Sequence, residues 1–313
     1  MNGAHQPVMV REALAALTRD GTRGGLFLDA TLGMGGHSEA LLATRADTRV
    51  VGVDQDGQAL AAAASRLARF GDRFRAVRGN FRDARALLAG EVLDGALMDL
   101  GVSSLQFDTA TRGFSFQRDA PLDMRMDAEG PRTAADLVNG AAREELERVF
   151  REYGDERAAR RIAEAICEER RSAPLRTTLH LAGIVARATG GVRPWQRIHP
   201  ATRVFMALRM AVNDEPGALR EGLEAIGLLL APGARLAVIS FHSVEDREVK
   251  NRFREWKRTG VARVLTPKPL RPGAEEVEEN SRARSACLRT AERTGKQFQT
   301  QQGGTDGEKP QKS

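Results

Sequence analysis

The sequence predicts an α/β fold, with an open, mostly parallel sheet that is interrupted by a mostly helical insertion. Three short apolar runs of the kind that form buried strands end at Asp29, Asp54 and Asp99, and helix-like segments separate them. This alternation stops after Gln106 and returns at about Gly217. Because strands that alternate with helices form parallel sheets, we expect the 313 residues to build one α/β domain with a second unit inserted into it.

A glycine-rich loop follows the first predicted strand. The apolar residues 26–28 end in Asp29, and Gly33, Gly35 and Gly36 then precede a helix-like segment. Glycines let a ligand reach main-chain N–H groups, and they allow the positive φ of a tight loop. A strand, a glycine loop and a helix in this order favour a nucleotide site, and a plain strand-to-helix turn is the alternative.

The second predicted strand, residues 50–53, ends in Asp54. An acid at this place, about 20 residues beyond the glycines, binds the ribose hydroxyls of an adenosine in many α/β domains. The dinucleotide fingerprint G-x-G-x-x-G fits from Gly33 except at its last position, which is Ser38. The combination favours a ligand with an adenosine but no pyrophosphate, and S-adenosylmethionine is such a ligand.

Two further strands complete this first part of the chain. Residues 73–77 predict the third strand, and Phe81 lies just beyond its carboxyl end, where ligands of doubly wound sheets bind. Contact with adenine and packing in the core are both open for this ring. Residues 93–99 predict the fourth strand, which ends in Asp99 and a loop of small residues. Three acids at one edge of a sheet indicate a shared site rather than three helix caps.

The rest of the chain predicts an ordered loop over residues 107–127, then helices, then a return of the sheet. In this last part we expect a helix at residues 217–230, a strand at 235–240, and a hairpin of 262–265 with 286–291. The predicted units are a core of residues 1–106 and 215–294, a helical insert of residues 107–214, and a disordered tail of residues 295–313.

The charge of the chain points to a polyanionic partner. The formal net charge is +6 and the isoelectric point is about 9.9. From Arg170 to Asn213 there are eight arginines and no Asp or Glu, which predicts that the insert contacts RNA phosphates. A solvated helical face is the alternative for any single arginine.

Other compositional features are those of a soluble, cytoplasmic protein. No apolar run reaches the about 18 residues of a membrane span. Arg11 and Glu12 stand where a signal peptide needs its apolar core. Cys167 and Cys287 are far apart in the chain and predict neither a disulfide framework nor a zinc site.

Eight motifs, which follow one another along the chain, are similar to those of one bacterial enzyme family. They are Asp29-x-Thr-x-Gly-x-Gly-Gly-His-Ser, Asp99-Leu-Gly-Val-Ser-Ser-x-Gln, Arg112-Gly-Phe-Ser-Phe, Pro121-Leu-Asp-Met-Arg-Met, His199-Pro-Ala-Thr-Arg, Ala207-Leu-Arg-x-x-Val-Asn, Ser240-Phe-His-Ser-x-Glu-Asp-Arg and Ser281-Arg-x-Arg-Ser-Ala. With these motifs the chain resembles the bacterial ribosomal RNA small subunit methyltransferase H family over residues 5 to about 292.

The resemblance implies a class I, Rossmann-like fold with an inserted, mostly helical substrate-recognition domain. It also implies S-adenosylmethionine as the methyl donor, and methylation of the exocyclic N4 of one cytidine in the decoding region of 16S rRNA, within the small ribosomal subunit. The glycine loop supplies Gly33 to the expected cofactor site. The contacts carried over from the family, position by position, are Gly35, Gly36, His37, Asp54, Phe81, Asp99 and Gln106.

Three residues are candidates for catalysis. Asp99 is expected to orient the cofactor or the amine, and the resemblance favours the cofactor. Asp123 and His242 are candidates for contact with the amine or for late removal of its proton. The alternatives are that Asp123 braces Arg125 and that His242 caps the turn after its strand. No metal is predicted, because the displacement needs none and the spacing of His242 and Glu245 matches no strong metal motif.

The candidates for contact with RNA are Arg125, Arg193, Arg203, Arg209 and Arg247. Two other functions stay open: a non-catalytic RNA-binding factor in ribosome assembly and, disfavoured by Ser38, a dinucleotide-dependent oxidoreductase. The sequence also leaves open whether the chain forms a homodimer.

Overall fold

The computed structural model describes residues 7–191 and 198–298. The strands in these ranges are β1 (Gly25–Asp29), β2 (Thr48–Asp54), β3 (Phe74–Arg78), β4 (Leu93–Asp99), β5 (Leu230–Ser240), β6 (Ala262–Val264) and β7 (Cys287–Arg293). The helices are α1 (Val10–Thr18), α2 (Gly36–Thr44), α3 (Gly57–Leu67), α4 (Ala84–Leu87), α5 (Ser104–Asp108), α6 (Ala134–Gly140), α7 (Arg143–Glu152), α8 (Ala159–Ser172), α9 (Thr178–Ala188), α10 (Ala201–Val212), α11 (Glu215–Leu229), α12 (Ser243–Thr259) and α13 (Ala274–Glu279).

The seven strands described form one sheet in the order β3-β2-β1-β4-β5-β7-β6. Strands β1 to β5 are parallel, and β7 runs antiparallel to both of its neighbours, β5 and β6. The order changes direction at β1, where the chain crosses from β3 to β4. Crevices at such switch points, outside the carboxyl ends of the strands, are where α/β sheets bind ligands.

Both faces of the sheet are covered by helices, and alternate residues of each strand supply the two cores. Phe27 and Leu97 pack with α1, α2 and α3 on one face. Their chain neighbours Leu28 and Met98 pack with α4, α11 and α12 on the other. Strands buried on both sides must be apolar at consecutive positions, which explains why the sequence shows continuous apolar runs here. The predicted α/β fold is confirmed.

Helices α6 to α10 build an apolar core of their own, together with the loop before α6. Phe150, Ile162, Ile166 and Leu208 lie at its centre and are fully buried. The predicted limits of the insert, residues 107–214, stay a prediction, and this separate core is the observation that supports them.

Three details differ from the expected elements. β5 begins at Leu230 rather than at residue 235, because Leu230 pairs with Leu93 of β4. The predicted loop 107–127 opens with the end of α5 and a 3-10 turn at Ala110–Arg112. From residue 299 onward, the predicted tail lies outside the described residues.

No helix in the described ranges is long and apolar enough to cross a lipid bilayer.

Candidate functional site

A cavity of about 400 Å³ lies at the carboxyl ends of β1, β2, β4 and β5, a size typical of small-molecule sites. We call the part around Gly33, Asp54 and Asp99 the sheet end, and the part around Arg209, Glu215 and Glu245 the helix end. The polar and charged residues that line it are Thr31, His37, Asp54, Gln55, Asn80, Asp99, Ser103, Gln106, Arg209, Asn213, Glu215, His242, Glu245, Glu248 and Arg282.

Asp29 does not line the cavity but supports the glycine loop through its hydrogen bonds. Its side chain is buried, and one of its carboxylate oxygens accepts a hydrogen bond of 2.7 Å from Ser38 Oγ. Burial raises the pKa of Asp29, against the lowering by His37 and Ser38. The residue that breaks the dinucleotide fingerprint, Ser38, therefore has a role here as the partner of Asp29. The expectation that Asp29 shares the site with the other two acids is corrected.

Gly35 also belongs to the frame of the loop rather than to its binding surface. It has φ +78°, and its N–H donates to Leu32 O at 2.8 Å. A Cβ at this position would lie 3.0 Å from Leu67 Cδ1 and 3.3 Å from Ala63 Cβ. Glycine is required by the turn and by the close packing on α3, and the cofactor contact of Gly35 stays a prediction. Gly33, Gly36 and His37 do line the cavity.

Asp54 closes the sheet end from β2. Its carboxylate accepts hydrogen bonds from the N–H groups of Gly33, at 2.8 Å, and Asp56, at 2.9 Å. Burial raises the pKa of Asp54 to about 6, although these two bonds lower it. A carboxylate held in this way between a glycine loop and a cavity is well placed to accept from ligand hydroxyls.

Asp99 ends β4 on the opposite side of the loop. Its Oδ2 lies 3.6 Å from His37 Nδ1, and His37 Nε2 lies 2.9 Å from Val8 O. Burial raises the pKa of Asp99 to about 6, against the lowering by His37. Among the described residues, Asp99 Oδ1 is buried and has no hydrogen-bond partner. Since a buried acceptor without a partner is costly, this oxygen is one to which a ligand can donate.

The sheet end fits S-adenosylmethionine on these observations. Gly33 has φ +50°, and a Cβ built on it would meet nothing closer than 3.8 Å, so this stretch of the loop is open to a ligand. Two carboxylates without a neighbouring cation suit a ligand that brings hydroxyls and positive charge. Phe81 lines the cavity and also packs against Gly222 of α11, so the predicted packing is present and the contact with adenine stays a prediction.

Gln106 lines the cavity, and the sequence did not predict the partners of its side chain. Its Nε2 donates to Asp56 Oδ2 at 2.9 Å, and its Oε1 accepts from Ser103 N. Asp56 is 2% exposed and also binds Arg112 at 2.9 Å. Sequence reasoning missed Asp56, although the motif that begins at Arg112 was a signal that this arginine has a fixed partner.

The helix end contains two buried carboxylates that share one guanidinium. Arg209 of α10 binds Glu215 through two hydrogen bonds of 2.7 and 2.8 Å, and its Nη2 lies 3.9 Å from Glu245 Oε1. Burial raises the pKa of Glu215, although Arg209 opposes the rise. Burial also raises the pKa of Glu245, but His242 and Arg209 outweigh this rise and hold the pKa below its usual value.

His242 connects this ion-pair group to the cavity. Its Nδ1 accepts from the N–H of Glu245 at 3.4 Å and so caps α12, and its Nε2 lies 2.8 Å from Glu245 Oε1. That nitrogen is buried and does not aim its hydrogen at the oxygen. His242 therefore caps α12 and also lines the cavity.

The comparisons with known proteins agree with this geometry. Residues 2–294 match the model of the MraW methylase family. The chain belongs to the MraW methylase family. Membership confirms the predicted S-adenosylmethionine-dependent methyltransferase with a Rossmann-like α/β fold.

Curated relatives in this methylase family are similar over nearly their whole length. A protein of Carboxydothermus hydrogenoformans, named ribosomal RNA small subunit methyltransferase H, is 49% identical over 94% of this chain and 99% of its own. A protein of the same name from Gloeobacter violaceus is 51% identical over 94% of this chain and 89% of its own. A solved structure of an rRNA methylase from Streptococcus thermophilus has a TM-score of 0.43 at 13% identity, over 91% of this chain and 93% of that one.

Asp123 does not face the cavity of this methylase in the part of the chain that the structure describes. Both of its carboxylate oxygens accept hydrogen bonds from Arg125, at 2.7 and 2.8 Å, and Arg125 Nη1 donates to Gly130 O. The alternative interpretation, that Asp123 braces Arg125, describes this geometry. This pairing favours a structural role for Asp123, and the assignments of Asp123 to catalysis and of Arg125 to RNA stay predictions.

The predicted RNA contacts lie in different environments. Arg209 is enclosed in the helix end, so its assignment to RNA phosphates is corrected. Arg203 is exposed and donates to Asp155 O at 3.1 Å, and Arg247 is exposed on α12. Arg193 lies outside the described residues.

No group of three His, Cys, Asp or Glu side chains could hold a metal ion within residues 7–191 and 198–298. Next to His242, the two acids of α12 turn to different partners. Glu245 faces His242, while Asp246 binds Arg289 through two hydrogen bonds of 2.7 and 2.9 Å.

Proposed function

We propose that this protein transfers a methyl group from S-adenosylmethionine to the exocyclic N4 of a cytidine in the decoding region of 16S rRNA. The names of its relatives support the rRNA of the small subunit as substrate, and the sequence resemblance supplies the N4 atom. The observation that carries the proposal is that the two ends share one cavity, so that a cofactor and a base can meet in it.

The sheet end is proposed to hold the cofactor. When bound, S-adenosylmethionine supplies a methyl group made electrophilic by a positively charged sulfur. Asp54 accepts from the ribose hydroxyls, and Asp99 Oδ1 accepts from a donor of the cofactor. Gly33 and Gly36 let the main chain approach the ligand, and Phe81 contacts the adenine.

The helix end is proposed to receive the base. Glu215 and Glu245 carry two negative charges against the single positive charge of Arg209, so this end stabilises the positive charge that develops on the attacking nitrogen. Because Nδ1 of His242 accepts a hydrogen bond, Nε2 carries the hydrogen of the neutral ring. His242 is therefore proposed to hold an acceptor on the base.

A dedicated general base is not required in this arrangement. As the C–N bond forms the C–S bond to the sulfonium breaks, and the nitrogen, which is then strongly acidic, gives its proton to water. Most of the benefit then comes from holding the two reactants in line. The roles of the residues are binding, orientation and charge stabilisation.

The test is methyl transfer from labelled S-adenosylmethionine to small ribosomal subunits that lack the modification, followed by digestion to nucleosides. We expect the label on N4 of cytidine. Asp54→Ala should lose the transfer, while Asp47→Ala, which removes an exposed acid near the other end of β2, should retain it. Label on a ring carbon or a ribose oxygen would contradict the proposal, and binding of the subunit without transfer would support an assembly factor instead.

The roles of the two ends are separated by a second pair of variants. His242→Gln should leave the Kd of the cofactor unchanged and slow the transfer by about a hundredfold, the cost of a misplaced reactant. Asp99→Asn should raise the Kd of the cofactor. A rise in the cofactor Kd of the His242 variant would contradict the division between the two ends.

A further inference from the structure

One side of α12 carries a row of basic residues, and the residue that caps this helix, His242, lines the cavity. Arg247, Lys250, Arg254 and Arg258 follow the spacing i, i+3, i+7, i+11, which places them on one face of the helix. Lys257 flanks this row, and Ser243 and Asn251 are the other residues of the face. We call these seven residues the α12 face.

The acids of α12 lie off this face and already have fixed places. Glu245 is buried beside His242, Asp246 binds Arg289, Glu248 lines the cavity, and Glu255 binds Arg252 at 3.3 Å. Helix α12 thus contributes five positive charges and no negative charge to this face, while Asp155 of the insert accepts a hydrogen bond of 2.8 Å from Ser243 at its start. Each of these five side chains is without an acidic partner among the described residues of the protein.

Only some basic residues of the insert are in a different state, since Arg157, Arg161 and Arg176 are exposed and, like the α12 face, have no acidic partner among the described residues. Arg151, Arg160 and Arg171 are equally exposed, but each forms an ion pair with a glutamate of its own helix. Their charge is largely compensated at the surface. An unpaired row of cations attracts phosphates more strongly than a row of ion pairs does, because no internal partner must be displaced.

The position of the α12 face relative to the cavity decides what it can bind. The helix is capped by His242, a residue of the helix end, and at about 1.5 Å per residue the face extends about 22 Å from there. Because Val244 and Glu248 of α12 line the cavity, we expect a chain that places one nucleotide there to continue beside this helix.

We propose that the α12 face binds the RNA strand that flanks the target nucleotide, through its phosphates. This rests on the proposed function, and it assigns an electrostatic contact to α12 that the paired arginines of the insert, such as Arg151, Arg160 and Arg171, do not supply. Contacts of this kind supply affinity without reading the sequence.

The test compares two triple variants that remove the same amount of charge. Lys250→Gln/Arg254→Gln/Arg258→Gln changes the α12 face, and Arg151→Gln/Arg160→Gln/Arg171→Gln changes paired arginines of the insert. The probe is protein-free 16S rRNA from small subunits that lack the modification, and its Kd is measured over a range of salt concentrations. Each lost phosphate contact lowers the slope of log affinity against log salt by about 0.7, so we expect a fall of about 2 for the α12 variant. The insert variant should change it far less.

The Kd of S-adenosylmethionine should stay the same in both variants, which shows that they are folded. Equal slopes for the two variants, a larger fall for the insert variant, or a parent protein whose affinity for this rRNA does not depend on salt would overturn the proposal. So would an α12 variant that loses affinity for intact subunits but not for protein-free rRNA, because the face would then meet a ribosomal protein. Label on another atom in the transfer assay would defeat the proposed function and leave this result standing.

Discussion

Each end of the cavity contains two largely enclosed carboxyl groups, but their basic neighbours differ, with His37 beside Asp99 at the sheet end and Arg209 between the two glutamates at the helix end. At the sheet end, Asp54 and Asp99 have pKa values raised to about 6 by burial. At the helix end, Glu215 and Glu245 share Arg209. The same residue chemistry is therefore used in two ways, with carboxyl groups that have no arginine beside them in one place and carboxyl groups held by an arginine in the other.

This difference indicates what each end does before a ligand arrives. The sheet end is destabilised by its own charges, and a ligand with hydroxyls and positive charge removes the penalty. The helix end is already held by internal hydrogen bonds, so it can keep a fixed shape while a base enters. Four expected results test or refine this comparison, in order of decreasing size.

The largest effect is expected for Arg209→Met. Removal of the guanidinium leaves Glu215 and Glu245 buried without a cation, which costs about 3–5 kcal/mol of unfolding free energy. Urea unfolding at pH 8 measures the change. Arg254→Met on the α12 face should stay within about 0.5 kcal/mol. A loss below about 1 kcal/mol for the Arg209 variant would show that the helix end does not depend on this cation.

For Asp99→Asn in the ligand-free protein we expect a gain in unfolding free energy, opposite in sign to the loss expected for Arg209→Met. The carboxyl group of Asp99 has a pKa of about 6 in the folded protein and of about 4 when unfolded, so the folded state loses stability as the pH rises from about 4 to about 6. Asn does not ionise and avoids this loss. At pH 8 the variant should be more stable than the parent by about 1–3 kcal/mol, and at pH 5 the difference should shrink. A variant less stable than the parent at pH 8 would contradict the account of the sheet end.

Cofactor binding should depend on pH through the same group of acids. The pKa of Asp54 is raised to about 6, and the ionised form is the better acceptor for ribose hydroxyls. Below pH 6 the Kd of S-adenosylmethionine should rise by at least about tenfold per pH unit. Calorimetric titrations between pH 5 and 8 measure this, and Asp54→Asn should bind more weakly at pH 8 with a flatter profile. A parent Kd that is constant over this range would rule out ionised Asp54 as the ligand acceptor.

The smallest effect is expected for Arg187→Ala. This arginine binds Glu169 at 2.9 Å, but its side chain is 64% exposed, and exposed ion pairs contribute about 0–1 kcal/mol. The unfolding free energy should fall by no more than that, and cofactor affinity should not change. A loss as large as that of the Arg209 variant would show that the contrast between buried and exposed arginines is mistaken.

The sequence predicted the sheet and most of the sheet end because both are local in the chain. Continuous apolar runs report strands that are buried on two sides, and a parallel sheet puts their carboxyl ends at one edge. Gly33, Gly36, His37, Asp54 and Asp99 follow from those rules and from the resemblance, and all of them line the cavity.

The arginines of the insert show where the same reasoning fails. No acid occurs between Arg170 and Asn213, which suggested a row of free cations. In the fold, Arg171 and Arg187 bind Glu168 and Glu169, which lie just outside that stretch. Arginines in a stretch of sequence without acids can still have acidic neighbours in the fold, because helix packing brings in partners from the neighbouring turns and helices.

By itself, the sequence determined the α/β class, the glycine loop, the acids at the strand ends and the family. Tertiary structure decided which polar groups face the cavity. It turned Asp29 inward to Ser38, gave Asp123 to Arg125, and enclosed Arg209 between two glutamates. The physical reason is that secondary structure and strand order depend on periodic apolar patterns, whereas the partner of a buried charge is fixed by which side chains meet across different elements.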